Sequence, residues 1–399
     1  MAEQTFTISI PNNQLEILKR KLDLTRLPDE LEEVGWDYGA PRGDIERLLQ
    51  RWKDGFDWRA AEAALNKDLP MFTRDIPVEG PGALNIHYVH QKSAIPGAIP
   101  LLFVHGWPGS FIEVRKVLPL LVKPDKSSAP AFHVVALSLP GYGFSEAAKK
   151  PGFGPQQVAE VGHKLMLALG YNEYVCQGGD WGYVITMLIA NTYGPTHAKA
   201  WHTNMPELKA PSADVQYSEQ DQVILKRMGD FMKTGAGYMF QQTTKPQTLG
   251  YSLSDSPVGL LAWIYEKLVA WSDAYAWTDD EVLTWISIYW FSRAGPTAST
   301  RLYYESRVGG FGPGTDSGTF FKVYDVNVPI GLSVFAGELT TPPESWISPY
   351  GDRVVQSIRH KRGGHFAAYE VPELLVDDLR KMFGKGGPAY RVVGGKDGY

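Results

Sequence analysis

The chain has 399 residues, 44% of them hydrophobic, which is enough for one large domain with an added subdomain and an extensive core. Its formal net charge is −5, with acidic and basic residues mixed along it and no Lys/Arg run, which argues against nucleic acid or anionic membrane as partner and for small uncharged molecules. The single cysteine, Cys176, excludes an intramolecular disulfide and leaves a cysteine-based zinc site without ligands.

The opening MAEQTFTISIPNNQ carries no basic segment followed by an apolar core, and no window approaches the roughly 18 apolar residues of a membrane helix. The closing GGKDGY matches no retention, peroxisomal or prenylation signal, so a cytoplasmic location is the expectation. There is no internal repeat and no long low-complexity tract.

In chain order, TFTISIP predicts a short strand and LEILKRKLDLTRLP a helix. A tryptophan-rich stretch, GWDYGAPRGDIERLLQRWKDGFDWRAAEAALNKD, follows. Aromatic residues at irregular spacing among so few regular elements predict a meander over residues 1–95 that packs against something larger. Strands then alternate with helices: ALNIHYVHQK, PLLFVHG and FHVVALSLPG as strands, VAEVGHKLMLALG as an amphipathic helix, EYVCQGG as a strand, WGYVITMLIANTYG as a helix and AKAWHTNM as a strand. This is the signature of a mostly parallel sheet with helices on both faces, placed at residues 96–205. The alternation stops over residues 206–326, where DQVILKRMGDFMK, GLLAWIYEKLVAW, DEVLTWISIYW and TRLYYESR predict an inserted helical lid; its many aromatics suit the roof of an apolar pocket. Strands resume over residues 327–399 with VPIGLSVFAGE and RVVQSIRHKRGGHF. Within the lid, GGFGPGTDSG at 309–318 reads more readily as a passive linker than as a mobile entrance. It lacks the Lys-Ser/Thr of a phosphate loop.

The chemistry concentrates at YVCQGGDWG. A strand running through G-x-D-x-G into a helix has the form of a nucleophile elbow with Asp180 in place of the usual serine, Gly178 and Gly182 allowing strand and helix to approach. Cys176, in the apolar strand before it, reads as a small core residue. His365, in GGHFAAYE after the last strand, occupies the place of a triad histidine, in the chain order nucleophile, acid, histidine. Glu338, ending SVFAGE, is the candidate acid that would fix its tautomer, and Glu344 is a weaker one at the start of a surface helix. HGWPGS supplies the other loop: the backbone N–H groups of Trp107 and Trp181 are the expected oxyanion hole, His105 buttresses the loop, and Pro108 and Gly109 shape its turn. His87 and His90, three apart on a strand, point to opposite faces and cannot chelate a metal together.

A carboxylate needs no deprotonating histidine, and its attack on an acyl carbon would give only an unstable anhydride. On a saturated electrophilic carbon it gives a stable alkyl ester. His365 is then free to activate water for hydrolysis of that ester. Epoxides and haloalkanes both fit: a nascent alkoxide calls for a phenol as donor, a departing halide for weaker donors such as indole N–H groups.

HGWPGSF, GGDWG and GGHFAAYE, with the N-terminal TRLPDELEEVGWDYGAPRGDIERLLQRWKDGFDWRAAEAALN, resemble the epoxide hydrolases of the α/β-hydrolase fold, in the microsomal-type and fungal branch. The resemblance covers nearly the whole chain. It implies Asp180 as nucleophile, His365 and Glu338 as histidine and acid, no cofactor or metal, and a small apolar epoxide and water as substrates. It also implies two lid tyrosines that bind and protonate the epoxide oxygen, Tyr238 in GAGYMFQQ and Tyr303 in STRLYYES. Tyr304 adjoins Tyr303 on a helix, about 100° around, so only one of them can face the pocket. The mammalian microsomal members carry an N-terminal anchor not seen here, which implies the soluble form, and fungal members are often dimers, which makes a homodimer the expected assembly. Haloalkane dehalogenation is the alternative, favoured if the two tyrosines lie outside the pocket and Trp N–H groups converge in it. A ligand-binding protein without catalysis is the third reading, disfavoured because a pure binder has no need of the full set.

Overall fold

The computed structural model describes residues 2–80, 82–208, 210, 215–310 and 325–399. Nine strands form one sheet in the order β1-β2-β3-β5-β4-β6-β7-β8-β9. They are β1 (Gln4–Phe6), β2 (Met71–Val78), β3 (Gly82–Gln91), β4 (Ile99–Val104), β5 (Phe132–Leu137), β6 (Tyr174–Gly178), β7 (Ala198–Thr203), β8 (Ile330–Gly337) and β9 (Val354–Gly364). The pairs from β1 to β5 are antiparallel and those from β5 through β4 to β9 are parallel. The parallel strands β4, β5 and β6 are buried along almost their whole length, as strands covered on both faces must be.

Neighbouring residues of β7 show the two covers. Trp201 reaches Thr186 in the helix Trp181–Tyr193 through its indole N–H at 2.9 Å, whereas His202, the next residue and hence on the opposite face, lies beside Gly331 and Met382 of the helix Pro372–Phe383. Strand order reverses at β4, which has β5 on one side and β6 on the other, and a crevice opens at the carboxyl ends of strands where this happens. The loops carrying HGWPGS and Asp180 leave from those two strand ends.

Part of the segment up to residue 95 is sheet: β1, β2 and β3 extend the antiparallel edge, and β2 carries no expectation from its sequence because Thr73, Arg74 and Asp75 interrupt its apolar pattern. The remainder of that segment consists of the helices Asn12–Asp23, Arg42–Asp54 and Trp58–Asp68, the last capped by the Asp57 carboxylate accepting from Ala60 N–H at 3.1 Å. These helices rest on the helices Pro257–Ala270 and Asp279–Trp290. Arg51 holds Asp280 with two bonds of 2.9 Å, and Arg47 pairs with Asp279. Both aspartates sit in the first turn of their helix, where a negative charge is also favoured by the helix dipole.

Between β7 and β8 the chain leaves the sheet for the helices Glu219–Thr234, Gly237–Thr244, Pro246–Asp255, Pro257–Ala270, Asp279–Trp290 and Arg301–Val308. The second and third carry no expectation from their sequence; Gly237, Thr243, Thr244 and Pro246 hide a helical pattern that is set by packing. Most of GGFGPGTDSG, residues 311–318, lies outside the described residues. No helix among the described residues is long and apolar enough to cross a membrane.

Candidate active site

Each glycine around the elbow makes room for a specific neighbour. A Cβ on Gly182 would collide with the Val104 carbonyl oxygen at the end of β4, one on Gly178 would meet the Gly182 backbone, and one on Gly179 would meet the Asn204 side chain. Strand β6 and the helix after it are thus packed backbone to backbone, and Asp180 takes up the sharp reversal with φ 53° and ψ −126°, a conformation that costs an L residue roughly 1–3 kcal/mol. Gly182→Ala is expected to lose about 1–3 kcal/mol or more in urea unfolding, because backbone cannot yield as a flexible side chain can. Gly237→Ala is the control. Nothing stands within 4 Å of its added methyl and it lies in a helix, so it should be neutral or slightly stabilising.

Asp180 is 8% exposed and lies at the N-terminus of the helix Trp181–Tyr193. Its Oδ1 accepts from the Trp107 N–H at 2.7 Å, and the Trp181 N–H also bonds to the carboxylate. The loop and elbow amides expected as an oxyanion hole therefore converge on one carboxyl group. Burial raises the Asp180 pKa above the ordinary aspartate value, while His365 and the two amides oppose that rise. Gly106 is required beneath it, since a Cβ there would strike the Asp180 side chain. Gly109 closes the turn of that loop, its N–H donating to the Gly106 carbonyl at 3.1 Å, and the Glu113 carboxyl packed against it leaves no room for a side chain.

The other oxygen of Asp180, Oδ2, lies 3.6 Å from His365 Nε2. On the far side of the ring, Nδ1 donates to Glu338 Oε1 at 2.8 Å, and the same oxygen accepts from Leu339 N–H at 2.7 Å. Burial alone would lower the imidazole pKa; the charge and hydrogen bond of Glu338, with Asp180 adding, outweigh it and carry His365 up to about 9. Glu344 is exposed at the start of a 3-10 turn, away from this pair. The segment between β7 and β8 contacts the stretches that carry both residues. The His365 N–H donates to the Trp271 carbonyl at 2.9 Å, and Arg227, from the helix Glu219–Thr234, donates to the carbonyl oxygens of Ala336 and Glu338 and at 3.1 Å to Thr341 Oγ1. Neither Trp271 nor Arg227 stands out in the sequence, because both act through long-range contacts.

Tyr238 and Tyr303 are buried, 5% and 2% exposed, whereas Tyr304 is 37% exposed with the Arg307 guanidinium over its ring. The helical spacing that leaves the choice open in the sequence is resolved by the side on which the helix Arg301–Val308 packs. The Tyr238 ring stacks on Trp107 at 5.1 Å, and Tyr303 sets its edge against Trp181 at 4.8 Å. The two phenol rings lie edge to face with centroids 6.0 Å apart. Burial, with the Asp180 charge adding, holds both phenols well above the usual tyrosine range, so both are protonated at neutral pH. Both tyrosines are packed among the rings of Trp107, Trp181 and Trp271.

The remaining candidates have structural surroundings. His105 bridges its loop, donating from Nδ1 to the Gly106 carbonyl at 2.9 Å and accepting from Leu139 N–H at 3.3 Å, and burial lowers its pKa to about 4. Cys176 is fully buried and its thiol pKa is pushed up by that burial. His87 bonds to Ser138 and His90 to Glu3 and Tyr171, with no partner in common. Among the described residues no group of three or more His, Cys, Asp or Glu side chains is arranged to hold a metal ion.

Two family models match the chain: one described as "Epoxide hydrolase N terminus" over residues 3–114 and one described as the alpha/beta hydrolase fold over residues 99–248. "Epoxide hydrolase 1" of Sus scrofa is 35% identical over 415 residues, covering 95% of this chain and 88% of that protein. "Juvenile hormone epoxide hydrolase 1" of Ctenocephalides felis is 33% identical over 411 residues, covering 94% and 84%. Among solved structures, the Aspergillus niger epoxide hydrolase superposes with a TM-score of 0.82 at 33% identity, covering 95% of each chain. The juvenile hormone epoxide hydrolase of Bombyx mori superposes with a TM-score of 0.83 at 30% identity, covering 95% and 93%.

Proposed function

Because this chain belongs to the epoxide hydrolases of the α/β-hydrolase fold, we propose that it converts epoxides to vicinal diols through an alkyl ester on Asp180. The observation that carries the reading is the division of labour at that carboxylate: Oδ1 accepts from the Trp107 amide and Oδ2 is turned toward His365 at 3.6 Å.

In the first half of the reaction, Asp180 Oδ2 attacks an epoxide carbon and the ring C–O bond breaks. The oxygen that leaves takes a proton from the tyrosine pair, Tyr238 and Tyr303. A largely desolvated carboxylate is the stronger nucleophile for this step. Ester formation removes the Asp180 charge, one of the groups that hold both phenols and His365 high. The phenols become more acidic as the alkoxide forms, and His365 shifts toward the neutral imidazole needed for the second half.

Water then adds to the Asp180 carbonyl carbon, its proton passing to His365 Nε2 while Glu338 stabilises the imidazolium. The Trp107 and Trp181 amides receive the charge that develops on the carbonyl oxygen. Collapse of the tetrahedral intermediate breaks the acyl–oxygen bond, and the diol leaves with the proton from His365. The Asp180 carboxyl group returns its own proton to the tyrosinate, so the sum is epoxide plus water giving diol. The helices within residues 206–326 act as the lid, and the aromatic rings of Trp107, Trp181 and Trp271 receive the apolar part of the substrate.

A single turnover in 18O-labelled water tests this scheme. The first diol should carry no label and the peptide containing Asp180 should gain one labelled oxygen, because the oxygen added to the substrate comes from the carboxylate. Label appearing in that first diol would mean direct attack of water on the epoxide.

A further inference from the structure

Next to Asp180 is a cavity of about 10 Å³, close to what one water molecule requires. Its lining includes Trp107, Glu113, Gln177, Asp180, Asn204 and His365. Three of these side chains, Glu113, Gln177 and Asn204, are polar, sit within the site and have no part in the scheme above. Gln177, 1% exposed on β6, donates from its amide nitrogen to Asn204 Oδ1 at 2.7 Å, but its Oε1 has no partner among the described residues. Glu113, on the short 3-10 turn Phe111–Arg115, is folded back over Gly109.

A buried amide oxygen without a hydrogen bond is costly, by about 1–3 kcal/mol, unless a water satisfies it. An attacking water also has a geometric requirement. It must keep a lone pair toward the Asp180 carbonyl carbon and place two O–H bonds elsewhere. His365 Nε2 accepts one of them, and the other needs a second acceptor in the same cavity.

From these contacts we infer that Glu113 and Gln177 are positioning residues for the hydrolytic water, supplying the acceptors that orient it between His365 and the Asp180 ester. The inference rests on the ester reading of the preceding subsection. Burial pushes the Glu113 carboxyl up to about 8; the His365 charge opposes this and the Asp180 charge adds to it. The placement that carries the inference is geometric: Glu113 and Gln177 line the same cavity as Asp180 and His365. The two glycines of the HGWPGS loop thereby serve two carboxyl groups: Gly106 clears space for the one that forms the ester and Gly109 for the one that faces its water.

The test separates the two half-reactions. Wild type, Glu113→Gln, Gln177→Met and His365→Gln would each be mixed with excess styrene oxide, quenched at intervals and analysed by intact-protein mass. In Glu113→Gln and Gln177→Met the adduct should form at close to the wild-type rate and decay roughly 10- to 100-fold more slowly, since misplacement of a reactant by about an ångström has costs of that size. A purely structural role would slow formation and decay together, and that result would overturn the inference. Normal decay in both variants, with adduct accumulating in His365→Gln, would overturn it while leaving the ester reading intact. No adduct in any of the four proteins while wild type makes diol would overturn both.

Discussion

Incubated with styrene oxide and digested, the His365→Gln protein should carry an adduct of substrate mass on the peptide containing Asp180, and its diol turnover should fall roughly 10²–10⁴-fold. The expectation follows from the two sides of the imidazole. Nδ1 is committed to Glu338 at 2.8 Å, so Nε2, 3.6 Å from Asp180 Oδ2, is the free base at the place where water must lose a proton. Glutamine fills similar space and can keep a hydrogen bond to Glu338, but it accepts no proton at neutral pH. Alkylation needs only the Asp180 carboxylate and a donor for the epoxide oxygen, so it should survive the change and leave the ester stranded. If no adduct formed while wild type made diol, Asp180 would have to act as a base for water attacking the epoxide directly.

The second large effect concerns the opposite half-reaction. The Tyr238→Phe, Tyr303→Phe double variant should lose alkylation itself, with ester formation slowed roughly 10²–10⁴-fold, the usual worth of a positioned acid. Each single variant should lose less, because the two phenols sit side by side and either can donate once its neighbour is gone. Phenylalanine preserves the stack on Trp107 and the edge contact with Trp181, so a change in fold is not the expected cause. Stopped-flow quenching of indole fluorescence during ester formation gives the rate directly, since Trp107 and Trp181 adjoin Asp180. If the double variant alkylated at the wild-type rate with an epoxide, the phenols would not be the proton source. If it did so with a haloalkane in its place, the site would be one built for halide departure.

The contrast between Tyr303 and Tyr304 shows what a local pattern can and cannot decide. Their separation around a helix dictates that only one faces the pocket, but it does not say which face of Arg301–Val308 the rest of the protein covers. Packing against Trp107 and Trp181 makes that choice and leaves Tyr304 37% exposed. Glu113 and Gln177 are silent in the sequence for a related reason. A glutamate four residues beyond HGWPG and a glutamine three before Asp180 have no signature of their own; they matter because a loop from β4 and the strand β6 bring them to one cavity. The strands β1, β2 and β3 were harder still to anticipate as part of the main sheet, since strand partners lie far apart in the chain and β2 lacks clean alternation.

What the sequence determined by itself is the set of relations confined to a few residues. The elbow at Asp180 follows from glycines whose missing side chains permit one backbone to lie on another, and the alternation of strand and helix follows from the period of the apolar residues. A carboxylate in the nucleophile's position already restricts the chemistry to a saturated carbon. Tertiary structure decided everything that depends on distance through space: Glu338 across from His365, Arg227 and Trp271 bracing that pair from the segment between β7 and β8, the buried tyrosine, and the cavity that brings Glu113 and Gln177 beside Asp180. Burial in that assembled site is also what moves the pKa of His365, of the tyrosines and of Asp180, because desolvation and neighbouring charge exist only once the chain has closed around them.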